Sequence, residues 1–359
     1  MKNRSYGLDL VRSIALLFVV MIHSFMYSGF NYVDLNSLSS FLLLSFRCLS
    51  FVGVLLFIIL TGYLKVKKKP DKSHYKSIIT ILIVYLIMSI LSLLFKKYVL
   101  HEDKSISNLI IGIFNYTTAP YSWYVKMYIG LFLLIPFLNI LYNNIPTRQT
   151  KKYLIITLFV ISSLFPTLSR LTINGVLLNV APDWWGMLYP LLLYFSGCYI
   201  REFNIHINKL LNICLIILLI YLQSTLFFFY SQGSSVDSII SSENSLFSII
   251  LSILVFLLLY NRKTYSKIAA GIVAFISKAS FGAYLISYCY DMIFYKMLHL
   301  FSQNTSFYFF KCTFIITPLI YLCSIITSYI VNIFINIMKK IINYINDTKR
   351  IKQSCIEPF

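Results

Sequence analysis

The sequence predicts an all-α integral membrane protein, a polytopic bundle of about ten transmembrane helices with both termini in the cytoplasm. Three observations carry that expectation. Hydrophobic residues make up 58% of the 359 and charged residues only 12%, whereas a soluble domain carries about 25% charged residues. The mean hydropathy is +0.78, and apolar runs of around 20 residues, enough for about 30 Å of hydrocarbon, recur along the whole length. Basic residues, finally, concentrate in alternate connections between these runs, as the positive-inside rule requires.

The runs fall at residues 8–29, 41–64, 75–95, 122–142, 153–168, 184–200, 210–230, 246–260, 281–299 and 311–338, the fifth and eighth being short. Helices are the expected form, because a spanning segment must satisfy its own backbone polar groups and these runs are too long for barrel strands. Residues 1–338 are expected to form one membrane domain, with residues 339–359 as a short basic cytoplasmic tail. With the amino terminus inside, 22 basic residues lie in inner segments and 5 in outer ones, while Arg12, Arg47, Lys126 and Lys296 fall within spans. The net charge of +19 is thus mostly a topology signal. Nucleic-acid binding, which needs basic residues clustered on one folded surface, is excluded. The basic stretch at residues 65–69, with Lys72 and Lys76 beyond, suits membrane lipid headgroups of negative charge or the phosphates of a cytosolic cofactor.

Several chemistries have no residues to support them. The first apolar run is interrupted by Asp9 and Arg12 and lacks a small-residue cleavage pattern, so it is expected to stay as a span rather than be removed as a signal peptide. The seven cysteines show no CxxC or Cys/His spacing, so neither a metal nor a disulfide framework is implied. Walker A, GxGxxG and HExxH motifs are lacking. No fixed-period repeat and no matched pair of Gly/Pro-broken helices is visible, which weakens a transporter reading. The polar connection at residues 231–243 suits an extracytoplasmic loop, and Trp184 and Trp185 an outer aromatic belt.

The first helix is the most informative element. Arg12 and His23 are 11 residues apart, which is three turns plus about 20°, so both project from one face about 16 Å apart, with Leu16 and Val19 between them. Ionisable groups inside a bilayer are costly and usually mark function. Arg12 lies about 6 Å inside the inner boundary, where it can snorkel to the interface beside Asp9 or hold phosphate. His23 lies about 22 Å from Leu8, beyond the midplane. There it can simply bond a backbone carbonyl, or, as a neutral imidazole, take a proton from a hydroxyl.

These residues resemble a family. Gly7-Leu8-Asp9-Leu10-Val11-Arg12 followed by His23-Ser24 is similar to the first helix of the membrane-bound acyltransferase family 3, marked by Arg or Lys, ten residues, then His. Thr61-Gly62-Tyr63-Leu64, then Ser122-Trp123-Tyr124 with Gly130 and Pro136, Phe195-Ser196-Gly197-Cys198-Tyr199 and Ser280-Phe281-Gly282-Ala283-Tyr284-Leu285-Ile286 resemble its later motifs in order. The resemblance implies an O-acyltransferase, usually an acetyltransferase, that takes an acyl group from cytosolic acyl-CoA, here acetyl-CoA, and places it on a cell-envelope glycan. It implies His23 as the catalytic group and Arg12, with Lys72 and Lys76 standing where the family often has two arginines, as cofactor-binding residues. The chain departs from the family pattern at Ser287, where a histidine is frequent, and at Tyr121-Ser122, where a histidine often precedes the Trp motif.

Arg47, Trp123, Tyr124, Lys126 and Asp291 are secondary candidates for substrate binding. Arg47 and Lys126 fall at levels that can match His23, although Lys126, close to Trp123, also suits interfacial snorkelling. Asp291 is expected to pair with Lys296 or His299 inside the ninth helix. About 20 residues follow the tenth span, so no appended esterase-like domain is expected, and the acceptor must reach the membrane site unless another protein relays the acyl group. The rival function is a transporter or flippase for an amino acid or lipid-linked saccharide; a third is a non-catalytic partner in a glycan assembly complex.

Overall fold

The structure, a computed structural model, describes residues 4–32, 35, 37–102, 105–173, 176–231, 242–297 and 306–354. In chain order the α-helices are α1 (Tyr6–Tyr27), α2 (Leu38–Ser50), α3 (Val52–Lys65), α4 (Lys72–Tyr98), α5 (Ile106–Phe114), α6 (Trp123–Asn143) and α7 (Arg148–Phe159). They continue as α8 (Phe165–Leu168), α9 (Tyr189–Phe203), α10 (Lys209–Ser231), α11 (Leu246–Leu259), α12 (Lys267–Asp291), α13 (Ser306–Lys311) and α14 (Thr317–Ser354). A hairpin of two-residue strands, β1 (Thr172–Ile173) and β2 (Val176–Leu177), is the one departure from helix among the described ladders.

Among the described residues, eight helical units of 21 to 36 residues are long and apolar enough to cross a membrane. The protein is a multi-pass helical bundle. Three of the eight are assembled from shorter pieces: α2 continues into α3, while α7 joins α8, and α13 joins α14, through π-helical turns at Val160–Leu164 and Cys312–Ile316. The segment expected to be short at residues 153–168 is full length, because the Thr147 hydroxyl accepts from the Thr150 N–H at 3.1 Å and starts the helix at Arg148. The segments expected at 184–200 and 246–260 are helical but shorter, with 15 residues in α9 after a 3-10 turn and 14 in α11. Residues 339–354, read as part of a tail, continue α14 without a break.

Helix α1 is the axis of the bundle and packs against α2, α3, α12 and α14. The closest approach elsewhere is α3 against α9, and it explains two of the sequence motifs. A Cβ on Gly62 would lie 2.0 Å from the Tyr194 carbonyl oxygen, and one on Gly197 would lie 2.1 Å from that of Ile59. Only hydrogen at both positions lets the two backbones touch, the usual means of close helix packing where no hydrophobic force acts between lipid-facing helices. The Cys198 thiol closes the contact on the Gly62 carbonyl at 3.5 Å.

A second local device fixes the start of α4. Pro136 lies inside α6 and has no N–H to give the carbonyl of Phe132 four residues earlier. The buried His74 fills that vacancy, its Nε2–H donating to the Phe132 carbonyl at 3.0 Å while its ring stacks on that of Phe132 at 4.2 Å. Asn139, on the next turn of α6, donates to the Lys65 and Lys68 carbonyls at 2.8 Å each and so ties down the basic connection between α3 and α4. His74→Ala is expected to cost about 1–3 kcal/mol by leaving a carbonyl unpaired. Pro136→Ala in the same chain restores an internal donor, so melting of the double variant in detergent should recover most of the loss; strictly additive losses would show that His74 does something else.

Candidate functional site

Arg12 and His23 are carried by one uninterrupted helix, α1, and open onto two different cavities. The first has a volume of about 290 Å³ and is entered among Arg12, Lys65, Ser277 and Lys278. Its inner walls are apolar and aromatic, with Val19, Phe57, Tyr124 and Tyr128 prominent. The second, of about 350 Å³, is lined by His23, Asn31, Arg47, Tyr121, Trp123 and Glu243 among others. Val54 and Tyr284 line both. From α1 the first chamber takes Arg12 and Val19 and the second Ile22, His23 and Met26, so the two follow one another along the helix and meet at Val54 and Tyr284.

The entrance of the first cavity is built around a buried carboxylate. Asp9 is 3% exposed. It is satisfied by an ion pair with Arg4, by the Ser277 hydroxyl donating at 2.7 Å, and by Arg12 Nη1 at 3.3 Å. Arg12 also reaches Ser277 at 3.4 Å, and its side chain stays 31% exposed. The guanidinium is thus held at the cavity rim by Asp9 while keeping donors free to face a ligand. Lys65, at the end of α3, lies over the Phe132 ring at 4.3 Å, beside the loop that Asn139 holds.

His23 stands in an aromatic setting. Its ring stacks on Tyr121, centroids 3.5 Å apart and planes 10° from parallel. Its Nδ1 is buried and has no hydrogen-bond partner among the described residues. Tyr121 is itself fixed twice: its hydroxyl donates to Asp291 Oδ2 at 2.5 Å, and its carbonyl accepts from the Tyr284 hydroxyl. Asp291 is fully buried.

Across the second cavity, Arg47 is 6% exposed, donates from Nε to the Asn31 side-chain oxygen at 3.1 Å, and lies over the rings of Phe51 and Phe227 at 5.1 and 5.8 Å. Trp123, at the start of α6, is 39% exposed and forms part of the same wall. Glu243 is placed there by its neighbours, since Arg170 bonds both Ser242 and Asn244.

The structure sorts the sequence candidates. Arg12 and Tyr124 line the first cavity, and His23, Arg47 and Trp123 the second. Lys72 and Lys76 are exposed on the first turns of α4, and Lys126 is exposed on α6; none of the three lines either chamber. Asp291 faces inward to Tyr121 rather than to Lys296, which is exposed, since residues five apart on a helix point about 140° away from each other. His299 lies outside the described residues, as does most of the 231–243 loop. The sequence singled out Lys65 as part of the basic stretch at residues 65–69, and gave no signal for Ser277 and Lys278. Tyr121 stood out only as a departure from the family pattern, and that departure was the one available signal. Ser287, the other departure, is fully buried and donates to the Tyr284 carbonyl at 2.9 Å. Among the described residues no group of three or more His, Cys, Asp or Glu side chains converges as a metal site.

A model of the acyltransferase domain of acyltransferase family 3 matches residues 5–337. The chain belongs to this family. It is a membrane acyltransferase, and the match takes in all of the helices that build both cavities. No match was found among curated proteins or among solved structures.

Proposed function

We propose that this acyltransferase moves an acetyl group from acetyl-CoA, bound at the Arg12 end, to a hydroxyl of a cell-envelope polysaccharide or its lipid-linked precursor, presented at the His23 end. The single observation that supports it most is the pair of chambers on one face of α1, one rimmed by cations and the other holding the histidine. The bias of basic residues supports a cytoplasmic Arg12 end and cytoplasmic termini, and the envelope acceptor in this reading implies a bacterial plasma membrane. Arg12, Lys65 and Lys278 present cations suited to phosphate groups, and the largely apolar lining beyond them suits a thioester-bearing arm.

In the second chamber His23 takes the proton of the acceptor hydroxyl as the oxygen attacks the thioester carbonyl carbon. The C–O bond forms, the C–S bond breaks, and the departing thiolate receives the proton. Transfer through an acyl-histidine uses the same residue in two steps. Asn31, Trp123 and Glu243 supply the hydrogen-bonding and stacking surfaces that a sugar acceptor needs.

Lys65→Ala and Lys278→Ala are each expected to raise the KM for acyl-CoA about tenfold, the worth of one charge-assisted hydrogen bond, with a smaller effect on kcat. Lys72→Ala and Lys76→Ala should change it less. Steady-state kinetics on membrane vesicles checks both. Radiolabelled acetyl-CoA supplied to inverted vesicles tests the reading as a whole: label on a glycan supports it, and a protein that moves a solute without leaving label is a transporter instead.

A further inference from the structure

We propose that Val54, with Tyr284, forms the partition through which the acyl group passes between the two chambers, and that the Val54 side chain sets the length of the acyl chain transferred, restricting it to acetyl. This rests on the proposed reading of the first chamber as the donor side and the second as the acceptor side.

Three features single out these two residues. They alone among the described lining residues border both cavities. Tyr284 is immobilised, with its hydroxyl on the Tyr121 carbonyl and its ring edge-on to Tyr124 at 5.8 Å. The backbone under Val54 is immobilised too, because a Cβ on the adjoining Gly53 would lie 2.8 Å from the Val19 nitrogen and 2.9 Å from the Ala15 carbonyl oxygen, so α3 is seated directly on α1. A β-branched side chain on a helix has one strongly preferred rotamer. With both backbones and the tyrosine fixed, the width of the opening depends on the size of the residue at position 54.

The passage ends close to the chemistry. Val19 borders the first chamber and His23, four residues and about 6 Å further along α1, borders the second. A thioester carbonyl lodged at the partition is thus within reach of the histidine, while the rest of the acyl chain has to occupy the space that Val54 leaves. Each added methylene in such a confined apolar site changes discrimination by roughly tenfold or more.

The test compares acetyl-CoA, propionyl-CoA and butyryl-CoA in inverted vesicles, following release of the CoA thiol together with label left on vesicle glycan. Val54→Ala is expected to raise the ratio of propionyl to acetyl transfer about tenfold. Val54→Ile, a volume change small enough to preserve insertion, is expected to lower that ratio. An unchanged ratio in either inserted variant overturns the assignment of Val54. His23→Ala, run alongside, separates the two levels: if it still transfers acyl groups, the donor and acceptor reading itself is wrong, and if it is inactive while the Val54 variants keep the parental ratio, only the partition is wrong.

Discussion

His23→Ala, in protein that reaches the membrane in normal amount, should transfer acyl groups at least about a hundredfold more slowly, the lower end of what a positioned general base contributes. The loss follows whether the imidazole carries a proton or the acyl group, since alanine can do neither. His23→Gln should be as inactive, because an amide keeps a hydrogen bond but cannot shuttle a proton at neutral pH. Folding should be little changed, since the ring's main contact is the stack on Tyr121 and Tyr121 is held independently by Asp291. Acyl transfer within about threefold of the parent, measured on vesicles with matched protein content, would remove His23 from the mechanism.

Gly62→Val should fail to assemble. The added carbon meets the Tyr194 carbonyl oxygen at 2.0 Å, and that atom is backbone in α9 and cannot swing aside as a side chain would. Overpacking of this kind costs about 3 kcal/mol or more, enough to remove most of the stability of a marginal fold. Gly130 is the informative control: it belongs to the same set of family-like motifs, yet a Cβ there meets nothing within 4 Å. Gly130→Ala should therefore be tolerated and even gain up to about 1 kcal/mol from helix propensity. Size-exclusion profiles of detergent-extracted protein distinguish the outcomes: a monodisperse Gly62→Val peak at parental yield would mean that α3 and α9 do not cross as closely as described.

Much of the fold was legible because the bilayer leaves few choices. A run of about 20 apolar residues has to be helical, so the ten expected segments are helical where they are described, and their lengths shift. Those shifts have local causes that a hydropathy reading does not weigh, such as the Thr147 cap that lengthens α7 and the 3-10 turn that shortens α9. The site was legible where it lay on one helix: Arg12 and His23 share α1, and periodicity alone places them on one face. Partners supplied by other helices were not. Tyr121 comes to His23 from a turn about a hundred residues later, and Lys278 joins Arg12 only because α12 packs on α1. Asp291 was found for its burial cost, but its Tyr121 partner was not, because Tyr121 comes from a distant turn; Lys296, five residues on, points about 140° away, and His299 lies outside the described residues. Arg47 was found for the same reason, and its Asn31 partner, in a short turn after α1, had no periodic signal to reveal it.

Sidedness is the most direct test of acyl passage along α1. Labelled acetyl-CoA is given in parallel to inverted vesicles, with the Arg12 end facing the medium, and to right-side-out vesicles, with and without His23→Ala. Passage from the Arg12 chamber to the His23 chamber predicts label only from the inverted vesicles, only with His23 present, and only on glycan enclosed in the lumen. Label gained equally from both orientations, or left on acceptor exposed to the medium of inverted vesicles, would contradict it.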